Sequence, residues 1–351
     1  MNALATVALR PDYEISRIII GGWQFAGGHG AVDQAAAVAA LSAFAEAGVL
    51  TFDCADIYTG VEDLLGAMRA EIERRHGAAA RARIKVHTKC VPDLEKLAEV
   101  DRAYIRRGVE TSLRRLRTER LDLVQFHWWD YTVPGAVEAA QWLTELQREG
   151  KIDRIGGTNF DTPHAAELVA AGVDLISMQV QYSLLDSRPE HGLVAFCREN
   201  NVRLLCYGTV AGGFLSERWL GAPEPRPPFE NRSLTKYKLI IDDFGGWALF
   251  QELLATLAAI ARRHGSDIAS VASRAILDRP MVAAVIVGAR NPVHVASNAA
   301  MTGLTLDQAD HDAIAAVLVR RQGPMGDTFT LERDRNGRHG AIMKYNLNKV
   351  A

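Results

Sequence analysis

The feature that most constrains the fold of this chain is a repeated alternation of short apolar runs with helical, Ala-rich stretches. Apolar runs of this length are typical of buried strands, and most of them are followed by a helical pattern. The runs lie at residues 16–22, 49–55, 83–90, 121–128, 154–160, 175–183, 202–208 and 282–289. Eight strands that alternate with helices predict an α/β protein with a closed (β/α)8 (TIM) barrel.

The stretches between these runs support the same fold. Residues 32–47 read VDQAAAVAALSAFAEA, a helical pattern with Asp33 near its start and Gly48 after its end, and residues 101–116 and 136–148 repeat the design. An open, doubly wound sheet is the alternative. The barrel is favoured because no GxGxxG follows the first run, and because eight strands are the number that closes a barrel.

Composition narrows the class of protein. The chain has 351 residues, of which 48% are hydrophobic and 23% charged, and a formal net charge of -2. These values are typical of a soluble globular protein and argue against nucleic acid as a main partner. The four cysteines form no CxxC, which favours a reducing compartment. Residues 3–9 are apolar but short, so neither a secretion signal nor a membrane span is indicated, and a cytoplasmic location is expected.

Polar side chains follow three consecutive runs of the predicted barrel. Asp53 ends the second run and Tyr58 follows in the next loop, while Lys89 ends the third run and His127 the fourth. The carboxyl ends of parallel strands meet at one mouth of a barrel, where active sites lie, so we expect these four side chains to lie together. Singly, each has an ordinary structural explanation, such as a turn cap for Asp53.

This combination of residue types suits proton transfer. The pKa of a free tyrosine hydroxyl is ~10, and a neighbouring ammonium group stabilises the phenolate and lowers that pKa. Asp53 would hold Lys89 beside Tyr58, and His127 would hydrogen-bond the oxygen that receives the proton. Asp53, Lys89 and Tyr58 therefore predict one proton-donating unit, with His127 beside it.

The motifs around these residues are similar to those of the aldo-keto reductases. FDCADIY resembles the family's Asp and Tyr motif, HTKC its Lys strand, LDLVQFHWW its His strand and GKIDRIGGTNF its fifth-strand motif. The resemblance runs from about residue 16 to residue 303. It implies a catalytic tetrad of Asp53, Tyr58, Lys89 and His127, in which Tyr58 is the general acid toward a carbonyl and the general base in the reverse direction. It also implies NADPH bound without a Rossmann domain.

The same resemblance implies where the cofactor lies. The ends of the fifth and sixth strands would bind the carboxamide, a tyrosine after the seventh would stack on the nicotinamide, and the loops after strands seven and eight would hold the phosphates and the adenosine. The residues concerned are Thr158, Asn159, Gln179, Tyr207, Gly208, Thr209, Val210, Gly212, Arg218, Gly288, Arg290, His294 and Asn298. Because a guanidinium binds phosphate bidentately, Arg290 favours NADPH/NADP+ over NADH.

Two further features of the sequence concern the mouth of the predicted barrel. Trp23, Trp128 and Trp129 predict an aromatic wall for the substrate, unless they pack against the cofactor loop. Residues 219–247 form a long insertion between the seventh and eighth strands, which is either a clasp hinged at its Gly-Gly pair or an irregular surface excursion.

We expect one barrel domain over residues 1–321 and a charged C-terminal extension over residues 322–351, whose position stays open. The predicted function is an NADP(H)-dependent oxidoreductase that interconverts a small aldehyde or ketone and its alcohol. The alternatives are a cofactor-sensing regulatory subunit, as the channel β subunits of this family are, and a metal-dependent barrel enzyme. The histidines show no HxH or HExxH spacing, so no resident metal is expected. The natural substrate, the favoured direction and the oligomeric state stay open.

Overall fold

The computed structural model describes residues 4–26, 32–288 and 294–348. It begins with an antiparallel hairpin that the sequence analysis did not predict, formed by β1 (Thr6–Arg10) and β2 (Tyr13–Ser16). Tyr13 and Ile15 of this hairpin belong to a small apolar cluster with Ile19 of the first barrel strand. Because β2 leads directly into that strand, the hairpin closes the N-terminal end of the barrel.

The eight remaining strands form the predicted barrel, which is confirmed. All neighbouring pairs are parallel, and the sheet closes on itself in chain order, with the last strand beside the first. Each apolar run of the sequence overlaps one of the strands, which are β3 (Ile18–Gly21), β4 (Thr51–Asp53), β5 (Lys85–Cys90), β6 (Leu121–Phe126), β7 (Ile152–Thr158), β8 (Leu175–Gln181), β9 (Arg203–Tyr207) and β10 (Val282–Gly288).

Helices surround the strands, and the three that the sequence predicted at 32–47, 101–116 and 136–148 are present. Asp33 caps the first by accepting a hydrogen bond from the backbone N–H of Ala36 at 2.9 Å, which satisfies an otherwise unpaired donor. The helices are α1 (Gln34–Glu46), α2 (Val61–His76), α3 (Ala78–Ala82), α4 (Arg102–Arg115), α5 (Ala136–Arg148), α6 (Thr162–Ala170), α7 (Leu193–Glu199), α8 (Arg232–Phe244), α9 (Gly246–Arg263), α10 (Ile268–Leu277), α11 (Val295–Met301), α12 (Gln308–Leu318) and α13 (Thr330–Arg333).

The insertion at 219–247 is helical in its second half. Asn231 caps α8 by accepting from the N–H of Leu234, and the helix buries an apolar stripe that includes Tyr237, Ile241 and Phe244. At Gly245, whose φ is 141°, the chain turns and α9 leaves at an angle of 96° to α8. The second half of the insertion is therefore a packed amphipathic helix, whereas residues 221–230 are irregular and largely exposed, so the expectation of an irregular excursion fails only for the second half.

Residues 322–348, hereafter the tail, cross the mouth of the barrel. The tail begins with a hydrogen bond from the N–H of Gln322 to the carbonyl of Phe244, at 3.0 Å. At its other end, the carboxylate of Asp93 accepts hydrogen bonds from the backbone N–H groups of Leu347 and Asn348, at 2.8 and 3.0 Å. The tail thus spans the mouth from the end of α8 to the loop after β5.

No single helix within the described ranges is long and apolar enough to cross a membrane. Taken together, the bent pair α8 and α9 passes that test on length and composition alone.

Candidate active site

Asp53 and Lys89 form a buried ion pair at the C-terminal ends of the neighbouring strands β4 and β5. The Nζ atom of Lys89 lies 2.9 and 2.7 Å from the two carboxylate oxygens of Asp53, and 2.8 Å from the carbonyl oxygen of Cys54. Burial lowers the pKa of Lys89, but Asp53 and the nearby Tyr58 outweigh this effect, so its pKa lies above the ordinary value. Lys89 is therefore a charged ammonium held in one position.

Two amide side chains complete the shell of Asp53. The Nε2 atoms of Gln125 and Gln179 donate to its Oδ1 atom, at 2.9 and 2.6 Å. The sequence analysis missed Gln125, although it is aligned with Lys89 across the β5–β6 pair and therefore faces the same side of the sheet. Gln179, predicted to bind the cofactor, instead supports the carboxylate in this structure.

Tyr58 lies next to this pair. The Nζ atom of Lys89 is 5.1 Å from the centroid of the Tyr58 ring. Burial raises the pKa of the phenol, and Lys89 lowers it by less, so the pKa of Tyr58 lies above its ordinary value. We expected the ammonium group to bring this pKa below ~10, and this is wrong because the effect of burial is larger than that of Lys89. A phenol with a raised pKa stays protonated at neutral pH, and it is therefore a proton donor.

His127 follows β6, is 2% exposed, and is neutral. Its Nδ1 atom lies 2.9 Å from the carbonyl oxygen of Thr158, which only accepts, so Nδ1 carries the ring proton. Burial, together with the charge of nearby Arg333, lowers the pKa of His127 to about 3. Its Nε2 atom is a buried acceptor with no partner among residues 4–26, 32–288 and 294–348. Donation from Nε2 to a substrate oxygen, as predicted, requires the proton to leave Nδ1.

The three tryptophans have different surroundings. The ring of Trp23 meets that of Tyr58 edge-on at 5.1 Å, and the ring of Trp129 meets His127 edge-on at 4.3 Å. Trp128 is fully buried, and its indole N–H donates to the carbonyl of Val133. The structure therefore places Trp23 and Trp129 beside the tetrad, whereas Trp128 packs in the core, and a contact between Trp128 and substrate stays a prediction.

The residues predicted to hold the nicotinamide lie together at the C-terminal ends of β7 to β9, where they form hydrogen bonds with one another. The hydroxyl of Tyr207 donates to Oδ1 of Asn159 at 2.9 Å, and that of Thr158 donates to the carbonyl of Gln179 at 3.3 Å. Lys236 of α8, which the sequence analysis missed, places its Nζ atom 5.2 Å from the centroid of the Tyr207 ring.

The loop after β9 is shaped by its glycines. Gly208 and Gly212 have φ angles of 78° and 64°, which side-chain-bearing residues rarely adopt. A Cβ atom at Gly208 would lie 2.4 Å from the hydroxyl oxygen of Tyr237, so α8 packs directly on this loop. The backbone of Val210 lies within the loop, while the side chain of Thr209 is buried against Ser273 at 2.9 Å.

The remaining predicted cofactor residues are only partly brought to the site. Arg218 is exposed and pairs with Glu230 at 2.7 Å. Arg290 lies outside the described residues. Gly288 ends β10 and His294, which precedes α11, is exposed. Asn298 is half-buried, and its Nδ2 atom has no partner in the part of the chain that the structure describes.

The tail covers His127, which the sequence analysis left open. Phe329 is 3% exposed, and its ring meets the His127 ring edge-on at 5.6 Å. Its φ angle of 61° is rare for an aromatic residue, and such strain is often found at functional sites. No signal in the sequence marks Phe329, because its position depends on how the tail packs.

A buried ionic cluster fixes the tail next to Phe329. Arg188, which follows β8, bonds to Glu332 at 2.7 and 3.0 Å and to the adjacent Asp186. Lys236 of α8 lies 3.9 Å from Glu332. Burial raises the pKa of Glu332, but Arg188 and Lys236 outweigh it and hold this pKa at about 2. The carboxylate is therefore charged, and it joins the tail, α8 and the barrel.

The described residues contain no group of three or more His, Cys, Asp or Glu side chains arranged to hold a metal ion. The chemistry at this mouth is that of a phenol, an ammonium group, a carboxylate and a neutral imidazole.

Comparison with known proteins agrees with this architecture. Residues 17–319 match the model of the aldo/keto reductase family, and the chain belongs to that family. It is 28% identical to the aldo-keto reductase YhdN of Bacillus subtilis over 90% of this chain and 94% of that protein. It is 26% identical to the NADH-specific methylglyoxal reductase of Escherichia coli, over 85% of this chain and 93% of that protein.

Among solved structures, the glycerol dehydrogenase of Gluconobacter oxydans superposes with a TM-score of 0.75 at 25% identity, over 93% of this chain and 98% of that one. An aldo/keto reductase of Klebsiella pneumoniae, solved with NADP and acetate, gives a TM-score of 0.69 at 24% identity, over 92% and 97%. The protein is thus an oxidoreductase of this family, whose members use nicotinamide cofactors.

Proposed function

We propose that this protein is an NADP(H)-dependent reductase of small aldehydes or ketones, and a dehydrogenase of the corresponding alcohols, in which Tyr58 transfers the proton. The observation that carries the proposal is the ion pair of Asp53 and Lys89 held beside the Tyr58 ring at the barrel mouth. A carbonyl that gains a hydride needs a proton at its oxygen, and a phenol beside a fixed ammonium group supplies one.

The roles of the residues follow from their protonation states. Tyr58 enters the reduction protonated, because its pKa is raised. After it gives up the proton, the phenolate lies beside Lys89, whose charge stabilises it, while Asp53 keeps Lys89 in place. In the reverse direction, the phenolate takes the proton of the alcohol. His127 brings no charge, and its Nε2 atom is positioned to accept a hydrogen bond from a substrate hydroxyl.

Several features of the chain fit a nicotinamide dinucleotide. Gly208 and Gly212 give their loop positive φ angles, a backbone shape that suits the binding of an anion by N–H groups. Tyr207 offers a half-buried ring at the mouth, and the Nδ2 atom of Asn298 is an unused donor among the described residues. When bound, this cofactor supplies or accepts the hydride. To bind the carboxamide of the cofactor, Asn159 would give up its hydrogen bond with Tyr207, and Gln179 would give up its hydrogen bond with Asp53.

We further propose NADPH rather than NADH as the preferred cofactor. The support is Arg290, whose guanidinium suits a 2′-phosphate. Arg218 supports NADPH less than the sequence suggested, because its charge is paired with that of Glu230. The NADH-specific relative from Escherichia coli shows that the choice varies among similar proteins, so it needs a direct measurement.

The experiment is consumption of NADPH and, separately, of NADH by the purified protein with a panel of aldehydes and ketones. Tyr58→Phe should lower the turnover number by ~10²–10⁴-fold while cofactor binding, followed by fluorescence, persists. Tyr13→Phe is the matched control, because Tyr13 is a buried tyrosine at the opposite end of the barrel. Equal loss in both variants would contradict the proton-transfer role of Tyr58. Turnover at least as fast with NADH would contradict the cofactor preference.

A cofactor-sensing regulatory subunit is the second candidate. The observation that favours it is the position of Phe329, which covers His127 and leaves that ring 2% exposed. Tight NADPH binding without turnover of any carbonyl, in the wild-type protein and in Phe329→Ala, would select this candidate over the reductase.

A further inference from the structure

A cleft of about 330 Å³ lies at the mouth, between the barrel and the tail. Its lining combines apolar and aromatic side chains with polar ones, which is common in sites for small molecules. The lining residues are Leu94, Trp129, Asp130, Tyr131, Thr132, Arg333, Arg335 and Tyr345. The cleft contains none of the four tetrad residues, so it is a separate compartment beside the reacting centre.

Two of the lining residues have buried N–H donors that are not used. Trp129 is 8% exposed, and neither its indole Nε1 nor the Nε atom of Arg333 has a hydrogen-bond partner within the described ranges. A buried donor without a partner costs free energy, and functional sites are where such groups persist. Both groups donate only, so they fit an acceptor.

The hydrogen bonds of Arg333 go to neutral groups, and the carboxylates of Asp161 and Glu332 act on its charge without reaching ion-pair distance. No carboxylate in the described part of the chain forms an ion pair with it, and its two terminal nitrogens donate to the carbonyls of Asn159 and Trp128, at 2.8 and 3.0 Å. Its guanidinium lies 4.1 Å from the centroid of the Tyr131 ring. A half-buried guanidinium that is bonded to neutral oxygens attracts an anion.

The nearby carboxylates already have partners. Asp130 accepts from the N–H and the hydroxyl of Thr132 and pairs with Arg335 at 3.4 Å. Glu332 is held by Arg188. Among the residues that line the cleft, two arginines, Arg333 and Arg335, stand against one carboxylate, that of Asp130.

The cleft is close to the reacting centre. Trp129 is a wall of the cleft, and its ring meets His127 at 4.3 Å. Arg333 bonds to the residue after His127 and to the residue after Thr158, the partner of His127. Groups that contact the two sides of one indole ring lie ~7–8 Å apart, which a carbon chain of a few bonds spans.

We propose that this cleft binds the carboxylate of an oxo-acid substrate, through Arg333 and the indole N–H of Trp129, while the carbonyl at the other end of the substrate reaches Tyr58. This assignment of substrate class rests on the reductase function proposed above. Hydrogen bonds between charged groups are stronger than those between neutral groups, so an oxo-acid should be preferred over an uncharged aldehyde of the same length.

The test compares acids with their methyl esters. Turnover of succinic semialdehyde and of adipic semialdehyde is measured beside that of each methyl ester, with wild type, Arg333→Gln and Trp129→Phe. We expect kcat/KM for at least one acid to exceed that for its ester by ~10–100-fold, mainly through KM, and each variant to lower the value for the acid more than the value for the ester, so that the ratio falls. Arg320→Gln is the charge-matched control, because Arg320 is exposed and pairs with Glu252 on α9.

Binding of succinate, measured by calorimetry, separates this proposal from the reductase function. Succinate that binds to wild type and Arg320→Gln, but not to Arg333→Gln or Trp129→Phe, supports the carboxylate site even if no carbonyl is turned over. Equal kcat/KM for acids and esters, with no succinate binding, overturns the site and leaves the reductase function standing. If Arg333→Gln does not fold, as circular dichroism would show, Trp129→Phe decides, because it removes a donor and keeps a ring.

Discussion

Two groups of buried charges lie at the same mouth, and they are built differently. Asp53 and Lys89 come from adjacent strand ends. The second group joins Arg188 and Asp186, after β8, to Glu332 in the tail, which is 144 positions from Arg188 in the chain. The first pair positions a proton donor, and the second attaches a segment that covers the first.

The difference shows that buried charge pairs at one mouth can have different roles, one in positioning a proton donor and one in attaching the tail. Removing one partner of a buried pair leaves the other without compensation, and this costs more than replacing both. Both groups should therefore matter for stability, but only the first should matter directly for proton transfer.

The largest expected effect is that of Lys89→Met. It leaves Asp53 as a buried carboxylate with amide donors only, so the free energy of unfolding should fall by ~3–5 kcal/mol. Adding Asp53→Asn should restore most of this stability without restoring turnover. Urea unfolding and carbonyl reduction measure the two quantities. Additive losses in the double variant would show that the pair is not coupled.

Glu332→Gln should lower the free energy of unfolding by ~1–3 kcal/mol at neutral pH, because Arg188 keeps Asp186 as a partner. The pKa of Glu332 in the folded protein is about 2, below the ordinary 4.5, so its contribution is present above pH 4.5 and is lost as the pH falls toward 2. The difference in stability between wild type and variant should shrink over that interval. A difference that is constant with pH would argue against a charged Glu332.

A smaller effect is expected at Phe329. Both Phe329→Ala and Phe329→Gly remove the ring over His127, but only glycine adopts a φ angle of 61° without strain. Phe329→Gly should therefore be more stable than Phe329→Ala by ~1 kcal/mol. Thermal unfolding of the two variants measures this difference, and the opposite order would show that the backbone relaxes when the ring is absent.

The smallest expected effect is an absence of titration. Because the pKa of His127 is lowered to about 3, its ring should stay neutral from pH 8 to pH 5. The folded pKa lies below the ordinary 6.5, so His127 makes the protein less stable as the pH falls below 6.5. NMR of isotope-labelled histidine, with His127→Asn for assignment, gives its titration curve. A midpoint near 6.5 would contradict the buried, neutral ring.

The sequence predicts the barrel and the position of the tetrad well because both depend on local patterns. A strand and the polar residue at its C-terminal end lie within about ten residues of each other in the sequence. Closure of the barrel then brings the C-terminal ends of all strands to one mouth. Asp53, Lys89 and His127 lie where this rule puts them. The catalytic roles of the four residues stay predictions.

What the sequence does not predict depends on contacts between distant segments. The hairpin β1–β2 and the place of Phe329 follow from packing that no local period encodes. Trp128 and Trp129 are neighbours in the same motif, yet one is in the core and the other at the mouth, because successive side chains near a strand end point in different directions. The direction in which the pKa of Tyr58 is shifted could not be predicted from the sequence either, because this pKa depends on burial as well as on Lys89.

The position of the tail also has a consequence for protein synthesis. A ribosome makes the hairpin β1–β2 first, then the eight barrel strands, and the tail only after β10. A barrel that has just emerged therefore has its tetrad strands in place while His127 lacks the cover of Phe329 and Arg188 lacks Glu332. The cover of the mouth thus depends on a segment that is made after all of the barrel strands.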